Sequence, residues 1–293
     1  MKILVLGATG MLGHKLFMHL SSYKDFSVFA TARDPNILHK NIPTKMQKNI
    51  IQNMDAKNVY SITNVIKYFK PNIVINCIGI IKQGSLGSNN IANIEINALL
   101  PHKIATVCNG IGARLIHFST DCVFSGKKGN YVETDEPDAK DLYGKTKMLG
   151  EVDYPHCLTL RTSIIGHELQ SKLGLIEWFL SQEDIINGYT NHIYTGFPTI
   201  ELANIIAKYI IPHEELHGIY HLSTNPISKY ELLKLVADIY KKKITVKPYD
   251  ATSCDRSLIS NRLQKIVGYS PPSWRDLVEK MYQDYLVSSY SNY

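Results

Sequence analysis

The chain has 293 residues, of which 44% are hydrophobic and 20% are charged, and this composition is ordinary for a globular protein of one large or two interlocked domains. Because Met1 leads directly into an apolar strand and no apolar run is long enough to span a bilayer, we expect a cytoplasmic protein without a membrane partner. Five scattered cysteines, eleven histidines without paired ligand spacing and a dispersed net charge of +6 argue against a disulfide framework, a metal site and a nucleic-acid partner.

The first predicted element is a strand, Lys2–Leu6, which runs into a glycine-rich turn over residues 7 to 13. After the turn, Leu12, Leu16 and Leu20 recur at helical spacing. Such a strand-to-helix turn presents backbone N–H groups to a pyrophosphate, and its glycines permit close approach. An ordinary tight connection is the alternative, but a position at the first strand of an α/β chain favours a dinucleotide site. The predicted cofactor contacts are Gly7, Thr9, Gly10, Met11, Leu12 and Gly13.

The second predicted strand, Ser27–Thr31, is followed by Arg33, where a carboxylate would accept the ribose hydroxyls of NAD. Arg33 instead offers a cation suited to a 2′-phosphate, so the sequence favours NADPH/NADP. A solvated surface arginine is the alternative, and the neighbouring Asp34 weakens the preference. Asp55, after the third strand, is predicted to accept the adenine amino group, with a helix N-cap as the competing interpretation.

Strands and helices continue to alternate through the first half of the chain. Residues 73 to 78 form a predicted strand that ends at Gly79, and residues 115 to 118 form another that leads to Ser119 and Thr120. This order predicts the α/β class with a Rossmann-type, doubly wound parallel sheet. In such sheets, ligands bind at the carboxyl ends of the strands.

Beyond residue 161 the alternation loosens, with helices expected near residues 175 to 180, 200 to 210 and 229 to 240. We therefore predict an NADP-binding Rossmann domain over residues 1 to 165. The remainder, residues 166 to 293, is predicted to be a smaller substrate-binding α/β region, with residues 190 to 210 returning to the cofactor domain.

Three residues carry the expected chemistry. Tyr143 and Lys147 are four residues apart and share one helix face, and Thr120 lies at a strand end. A phenol, an ammonium group and a hydroxyl together form a proton-transfer device typical of a reductase. With 18 tyrosines, a Tyr-x-x-x-Lys pair can arise by chance, but its combination with Thr120 and the glycine turn argues against chance.

The glycine spacing, the stretch from Ser119 to Phe124 and the stretch from Tyr143 to Lys147 resemble the extended short-chain dehydrogenase/reductase superfamily, and within it the dTDP-4-dehydrorhamnose reductase group. Residues 196 to 199, Arg256 and Trp274 extend the resemblance over essentially the whole chain.

The resemblance implies NADPH-dependent reduction of the C4 ketone of a nucleoside-diphosphate 4-keto-6-deoxy sugar. Tyr143 would donate a proton to the carbonyl oxygen, Lys147 would lower the phenol pKa and hold the nicotinamide ribose, and Thr120 would hydrogen-bond the same oxygen. The other residues implied at the site are Cys77 and Gly79 on the cofactor side, and Asp121, Cys122 and Arg256 on the substrate side.

Cys122 distinguishes between relatives. Similar 4,6-dehydratases carry a glutamate here, so dehydration is disfavoured, whereas a cysteine resembles the bifunctional 3,5-epimerase/4-reductases. A C3 epimerisation before reduction is therefore a hypothesis, with a small buried core residue as the alternative. Epimerisation needs a second acid or base, and His167, Lys172 and Glu177 lie in the right stretch.

A non-catalytic function is the alternative to an enzyme. The regulatory subunit of methionine adenosyltransferase also resembles these reductases, and it represents a catalytically silent, dinucleotide-binding protein. Because Thr120, Tyr143 and Lys147 are all present, the sequence favours an enzyme. Residues 160 to 166 and 174 to 179 resemble polysaccharide-pathway relatives that act on UDP-linked sugars, including 2-acetamido sugars. A homodimer is a further expectation.

Overall fold

A seven-stranded sheet forms the larger part of the computed structural model, which describes residues 1–34, 36–37, 42–169 and 172–288. The strands are β1 (Lys2–Leu6), β2 (Ser27–Thr31), β3 (Ile50–Ile51), β4 (Ile73–Asn76), β5 (Arg114–Thr120), β6 (Cys157–Thr162), β7 (Ile164–Ile165), β8 (Ile185–Tyr189), β9 (His192–Tyr194), β10 (Phe197–Pro198), β11 (Gly218–His221), β12 (Ile227–Ser228), β13 (Thr245–Tyr249) and β14 (Cys254–Asp255).

The α-helices are α1 (Met11–Leu20), α2 (Thr44–Gln47), α3 (Val59–Phe69), α4 (Asn90–Asn93), α5 (Leu100–Ile111), α6 (Leu142–Leu149), α7 (Leu175–Ser181), α8 (Thr199–Ile205), α9 (Lys229–Ile239), α10 (Asn261–Val267) and α11 (Trp274–Val287). Two π-helical segments, Ile94–Leu99 and Ile206–Ile210, continue α4 into α5 and extend α8, and a 3₁₀ turn, Asp121–Val123, follows β5.

The large sheet has the order β11-β6-β5-β4-β1-β2-β3, and all of its pairings are parallel. The chain leaves β1 toward β2 and later returns to β4 on the other side of β1. The strand order therefore reverses at β1 and β4, where their carboxyl ends form a crevice suited to ligands. This arrangement confirms the predicted Rossmann-type, doubly wound fold.

Alternating side chains of β1 explain why helices cover both faces. Ile3 and Val5 pack into a core with α1, α8, α10 and α11, whereas Leu4 and Leu6 pack into a second core with α3 and α5. All four side chains are at most 1% exposed. A strand buried on both faces consists of consecutive apolar residues. For this reason the sequence pattern was enough to predict β1.

The smaller region has its own core, formed by α7, α9 and α11 around Phe179, Leu232 and Val236. Beside these helices lie the parallel pair β8 and β13 and the three strands β12, β9 and β14. The predicted helices near residues 175, 200 and 229 are present as α7, α8 and α9.

The boundary predicted at residue 165 does not describe all of the large sheet. Helix α8 packs on α1. However, β11 also lies in the large sheet, because it pairs in parallel with β6 on the side away from β5. Residues 218 to 221 therefore belong to the large sheet, and residues 289 to 293 of the predicted second region lie outside the described residues.

Within the described ranges, no helix is both long and apolar enough to cross a membrane. The same part of the chain contains no group of three or more His, Cys, Asp or Glu residues placed to hold a metal ion.

Candidate active site

The glycine turn joins β1 to α1 at the crevice. Gly7 has a φ of +84°, and the Gly10 N–H donates to the Gly7 carbonyl over 3.1 Å. A Cβ at Gly13 would lie 2.1 Å from that same carbonyl oxygen, so tight packing of α1 on the turn requires glycine there. The fold itself therefore demands glycine at positions 7 and 13.

Gly10 is different, because a Cβ there would meet the Gly7 oxygen only at 3.5 Å, an ordinary contact. Its φ of −77° is also open to any residue. Gly10 is exposed and is the N-cap of α1, where the first backbone N–H groups have no intrahelical acceptor. Close approach of an anion to these donors gives a physical reason for a glycine at this position.

The side chains of the other predicted cofactor contacts in the turn, Thr9, Met11 and Leu12, lie in different surroundings. The Leu12 side chain packs in the core, so only its backbone is available to a cofactor. The Met11 side chain reaches Gly174, where a Cβ would lie 2.6 Å from the Met11 Cε atom. Thr9 is half-buried at the turn. The loop after β7 thus lies against the start of α1.

The remaining cofactor candidates lie along the same edge. Arg33 and Asp34 are exposed just after β2, whose Thr31 carbonyl accepts from the Ala8 N–H of the glycine turn at 2.9 Å. Asp55 accepts from the Lys57 N–H at 2.9 Å, and the N-cap of α3 is Asn58. The alternative of Asp55 as the helix cap is therefore wrong.

Cys77 and Gly79 follow β4, opposite the glycine turn. The loop there is held by Asn97, whose amide oxygen accepts from the Ile80 N–H at 2.8 Å and whose amide nitrogen donates to the Ile80 carbonyl at 3.0 Å. Burial raises the pKa of the Cys77 thiol far above its usual value. Cys77 is thus a neutral thiol beside the crevice.

Helix α6 carries the predicted catalytic pair. Asp141 caps its N-terminus by accepting from the Gly144 N–H at 2.9 Å. A Cβ at Gly144 would lie 2.3 Å from the Cys122 carbonyl, so the start of α6 packs directly against the 3₁₀ turn. This contact brings Tyr143 to Thr120, with which it shares a side-chain hydrogen bond.

The electrostatics of Tyr143 differ from the sequence expectation. Burial raises the pKa of the phenol well above its usual value, Cys122 and Asp121 raise it further, and the hydrogen bond with Thr120 lowers it. The sequence led us to expect a phenol pKa lowered by Lys147, but in this structure the pKa is raised, because loss of water around the phenolate outweighs the nearby donors. The phenol is consequently protonated at neutral pH.

Lys147 is 5% exposed, and its ammonium donates to the Phe118 carbonyl at 2.7 Å. Burial lowers the pKa of Lys147 to about 8, while Glu151 and Cys77 raise it. The structure therefore places a buried amine, which titrates near physiological pH, one helical turn from Tyr143.

Cys122 and Arg256 are brought together from positions 134 residues apart. The Arg256 Nη1 lies 3.8 Å from the Cys122 Sγ, and its Nε donates to the Phe124 carbonyl at 2.8 Å. Burial and the neighbouring Asp121 raise the pKa of the Cys122 thiol to about 12, whereas Arg256 and Lys82 lower it. The thiol is thus protonated and lies beside a fixed cation.

Sequence reasoning missed Lys82 and Asp141. The Lys82 ammonium lies 5.6 Å from the Tyr143 ring centroid and 2.9 Å from the Asp141 Oδ2. Both side chains are more than a third exposed, so they form the mouth of the site. An aspartate three residues before Gly144 has the spacing of a helix cap, but a lysine in the loop after β4 gives no comparable local signal.

The three candidates for a second acid or base are not among the groups that act on the Cys122 thiol. The His167 Nδ1 and a Glu177 carboxylate oxygen are hydrogen-bonded at 2.5 Å, and the His167 Nε2 hydrogen-bonds the Tyr240 hydroxyl at 2.9 Å. Lys172 is exposed. The charged groups that act on the Cys122 thiol are Asp121, Arg256 and Lys82.

Comparisons with known proteins show which family the chain resembles. A family model described as RmlD substrate binding domain matches residues 1–287. Methionine adenosyltransferase 2 subunit beta of Danio rerio is 26% identical over 253 residues, which cover 82% of this chain and 74% of that protein. The spore coat polysaccharide biosynthesis protein SpsK of Bacillus subtilis strain 168 is 25% identical over 304 residues, 97% of each chain.

A solved structure of dTDP-4-dehydrorhamnose reductase from Bacillus anthracis str. Ames, in complex with NADP, is similar with a TM-score of 0.78 at 21% identity. The match covers 97% of this chain and 99% of that chain. This likeness shows that the two chains share one fold.

Proposed function

The chain belongs to the RmlD substrate binding domain family, and from this premise we propose that it reduces the C4 ketone of a nucleoside-diphosphate 4-keto-6-deoxy sugar with NADPH. The observation that carries the proposal is the hydrogen-bonded pair of Thr120 and Tyr143 beside the buried Lys147. These side chains lie at the carboxyl ends of the sheet, at the same edge as the glycine turn.

The residues of the chain supply the proton transfer. Tyr143 donates its phenolic proton to the C4 oxygen, and the raised pKa keeps that proton in place until the oxygen becomes basic. Thr120 donates a hydrogen bond to the same oxygen and orients it. Lys147, when charged, stabilises the phenolate that forms on Tyr143.

The glycine turn fits a dinucleotide. The backbone N–H groups at the start of α1 suit a pyrophosphate, and Arg33 suits the 2′-phosphate that distinguishes NADPH from NADH. When bound, NADPH supplies a hydride to the C4 carbon. Support for NADP comes from the B. anthracis reductase of the same fold, which was solved with that cofactor.

The substrate side carries two cations, Lys82 and Arg256, near the reacting groups. Arginine pairs well with phosphate oxygens, so a nucleoside diphosphate, which stays attached to the sugar throughout, is the proposed anionic part of the substrate. We propose UDP as the nucleotide and a 2-acetamido sugar as the first substrate to test. The support is the resemblance of residues 160 to 166 and 174 to 179 to polysaccharide-pathway relatives.

Oxidation of NADPH tests the proposal. The purified chain is mixed with NADPH and the 4-keto-6-deoxy sugars of UDP, dTDP and GDP, and absorbance loss is followed at the nicotinamide band. We expect turnover by the unaltered chain and a loss of roughly 10²-fold or more in Tyr143→Phe, because a proton donor contributes about that factor. Tyr143→Phe must still bind NADPH. Full activity of Tyr143→Phe would contradict the assigned role.

The identity to methionine adenosyltransferase 2 subunit beta favours a second candidate, a catalytically silent, dinucleotide-binding regulatory subunit. Such a protein has no need of Thr120, Tyr143 and Lys147, and all three are present here, with Thr120 hydrogen-bonded to Tyr143. Lack of turnover with every sugar nucleotide, together with tight association with a methionine adenosyltransferase, would establish this candidate.

We also propose that Cys122 exchanges a proton at C3 before reduction. A base first removes the C3 proton, which the neighbouring C4 ketone acidifies, and leaves an enolate. The Cys122 thiol, which is half-buried and protonated at neutral pH, then donates its proton to C3 of that enolate. The adjacent Arg256 stabilises a thiolate left after donation. Dehydration stays disfavoured, because a glutamate does not occupy this position.

A further inference from the structure

A buried ion pair lies behind the catalytic helix. Arg161 in β6 donates to both oxygens of Glu151, with Nε to Oε1 and Nη2 to Oε2 both at 2.7 Å. The Ser119 hydroxyl donates to Oε1 at 2.6 Å. The side chains of Arg161 and Glu151 are only 4% and 5% exposed. Three donors from two strands thus fix one carboxylate in a site sheltered from water.

Glu151 follows Gly150, the C-cap of α6, and lies four residues after Lys147. The Lys147 ammonium is held in turn by the Phe118 carbonyl of β5, the neighbour of Ser119. Lys147 and Glu151 are therefore anchored to consecutive residues of the same strand. The carboxylate cannot move away from the ammonium without breaking its bonds to Ser119 and Arg161.

The titratable groups around Lys147 come from three parts of the fold. Cys77 follows β4, His117 lies in β5, and Tyr143 and Glu151 lie on and just after α6. Burial raises the pKa values of Cys77 and Tyr143 and lowers the pKa of His117, so these three are neutral at pH 7. Glu151 remains as the anion that favours the charged form of Lys147.

We propose that Glu151, fixed by Arg161 and Ser119, is a positioning residue that keeps the Lys147 ammonium charged and oriented beside Tyr143. The inference rests on the proposed function, because a charged Lys147 matters for catalysis only if Tyr143 transfers a proton. A purely structural ion pair would stabilise the contact of α6 with β5 and β6 without controlling the ionisation of Lys147.

Direct titration of Lys147 separates these two roles without using activity. The chain is labelled with lysine carrying ¹³C at Cε, and the Lys147 signal is assigned by its absence in Lys147→Arg. In the unaltered chain we expect the signal to titrate at about 8. The double variant Glu151→Gln/Arg161→Met removes both buried charges, and so leaves no unpaired arginine to unfold the chain.

In the double variant we expect the Lys147 titration to move down by about one pH unit, since burial remains and the carboxylate is gone, whereas Arg161 is not among the groups that shift the pKa of Lys147. Ser119→Ala is the matched control, because it removes one hydrogen bond from Glu151 but keeps the charge. Its titration should stay within about 0.3 units of the unaltered chain. An unchanged Lys147 titration in a folded double variant would overturn the inference.

Activity provides a second readout. If charged Lys147 is required, the rate falls as pH rises through the pKa of Lys147, so the double variant should lose activity at lower pH than the unaltered chain. Well below both pKa values the two rates should converge. If the titration moves as expected but no sugar nucleotide is reduced by any chain, the proposed function fails and the inference about Glu151 stands.

Discussion

Substitutions at two glycines of the first turn test the dinucleotide site in a way that separates binding from folding. Gly10→Ala adds a methyl group whose nearest described neighbour is the Gly7 carbonyl oxygen at 3.5 Å, at a backbone φ of −77° that alanine adopts freely. Gly13→Ala adds the same group 2.1 Å from that oxygen. The first methyl points to open space at the end of α1, and the second overlaps the backbone.

The expected energies differ accordingly. At an N-cap, alanine destabilises the fold by up to about 1 kcal/mol relative to glycine. Alanine also lowers the conformational entropy of the unfolded chain, which stabilises the fold by about 0.4–1 kcal/mol. Gly10→Ala should thus shift the melting temperature by no more than about 2 °C. At Gly13, overpacking costs about 1–3 kcal/mol or more, and the gain of about 1 kcal/mol in helix propensity does not offset a backbone overlap.

For NADPH binding, Gly10→Ala is the informative substitution, although it barely changes stability. A methyl group at Gly10 blocks close approach of a pyrophosphate to the first N–H groups of α1. Loss of one hydrogen bond to a charged group costs about 1.5–3 kcal/mol, or roughly 10-fold to 100-fold in NADPH affinity. NADPH fluorescence titration measures the affinity, and a thermal melt of the same sample measures the stability.

Wild-type NADPH affinity in a stable Gly10→Ala chain would refute the assignment of this turn as the pyrophosphate site. A Gly13→Ala chain as stable as the unaltered one would refute the packing explanation for that glycine.

Two further substitutions test the finer parts of the proposal. Cys122→Ser should abolish deuterium uptake at C3 or C5 of the 4-keto substrate, measured by mass spectrometry in D₂O, while NADPH oxidation continues; persisting uptake would remove the thiol from the reaction. Arg33→Ala should weaken NADPH binding about 10-fold while NADH binding is unchanged, because only NADPH carries the 2′-phosphate that a guanidinium pairs with. An equal loss for both dinucleotides in the same titration would show that Arg33 does not discriminate between them.

Local patterns determined much of the fold. The strand at Lys2–Leu6, the glycine turn and the helix after it are each specified by residues adjacent in sequence, because burial on both faces requires a continuous apolar run and tight turns require glycine. The pairing of Tyr143 with Lys147 is equally local, since four residues make one helical turn. The alternation of such elements then restricts the topology to a parallel, doubly wound sheet.

Tertiary structure decided which distant groups share the site. Lys82 reaches Tyr143 from the loop after β4, Arg256 reaches Cys122 across 134 residues, and β11 joins the large sheet at the edge left free by β6. The direction of the Tyr143 pKa also depends on the fold, because the loss of water around a phenol is set by everything packed against it. Sequence spacing determines which neighbours a side chain has along its own helix or strand. Only the folded chain determines the solvent exposure and the distant charges that fix its ionisation.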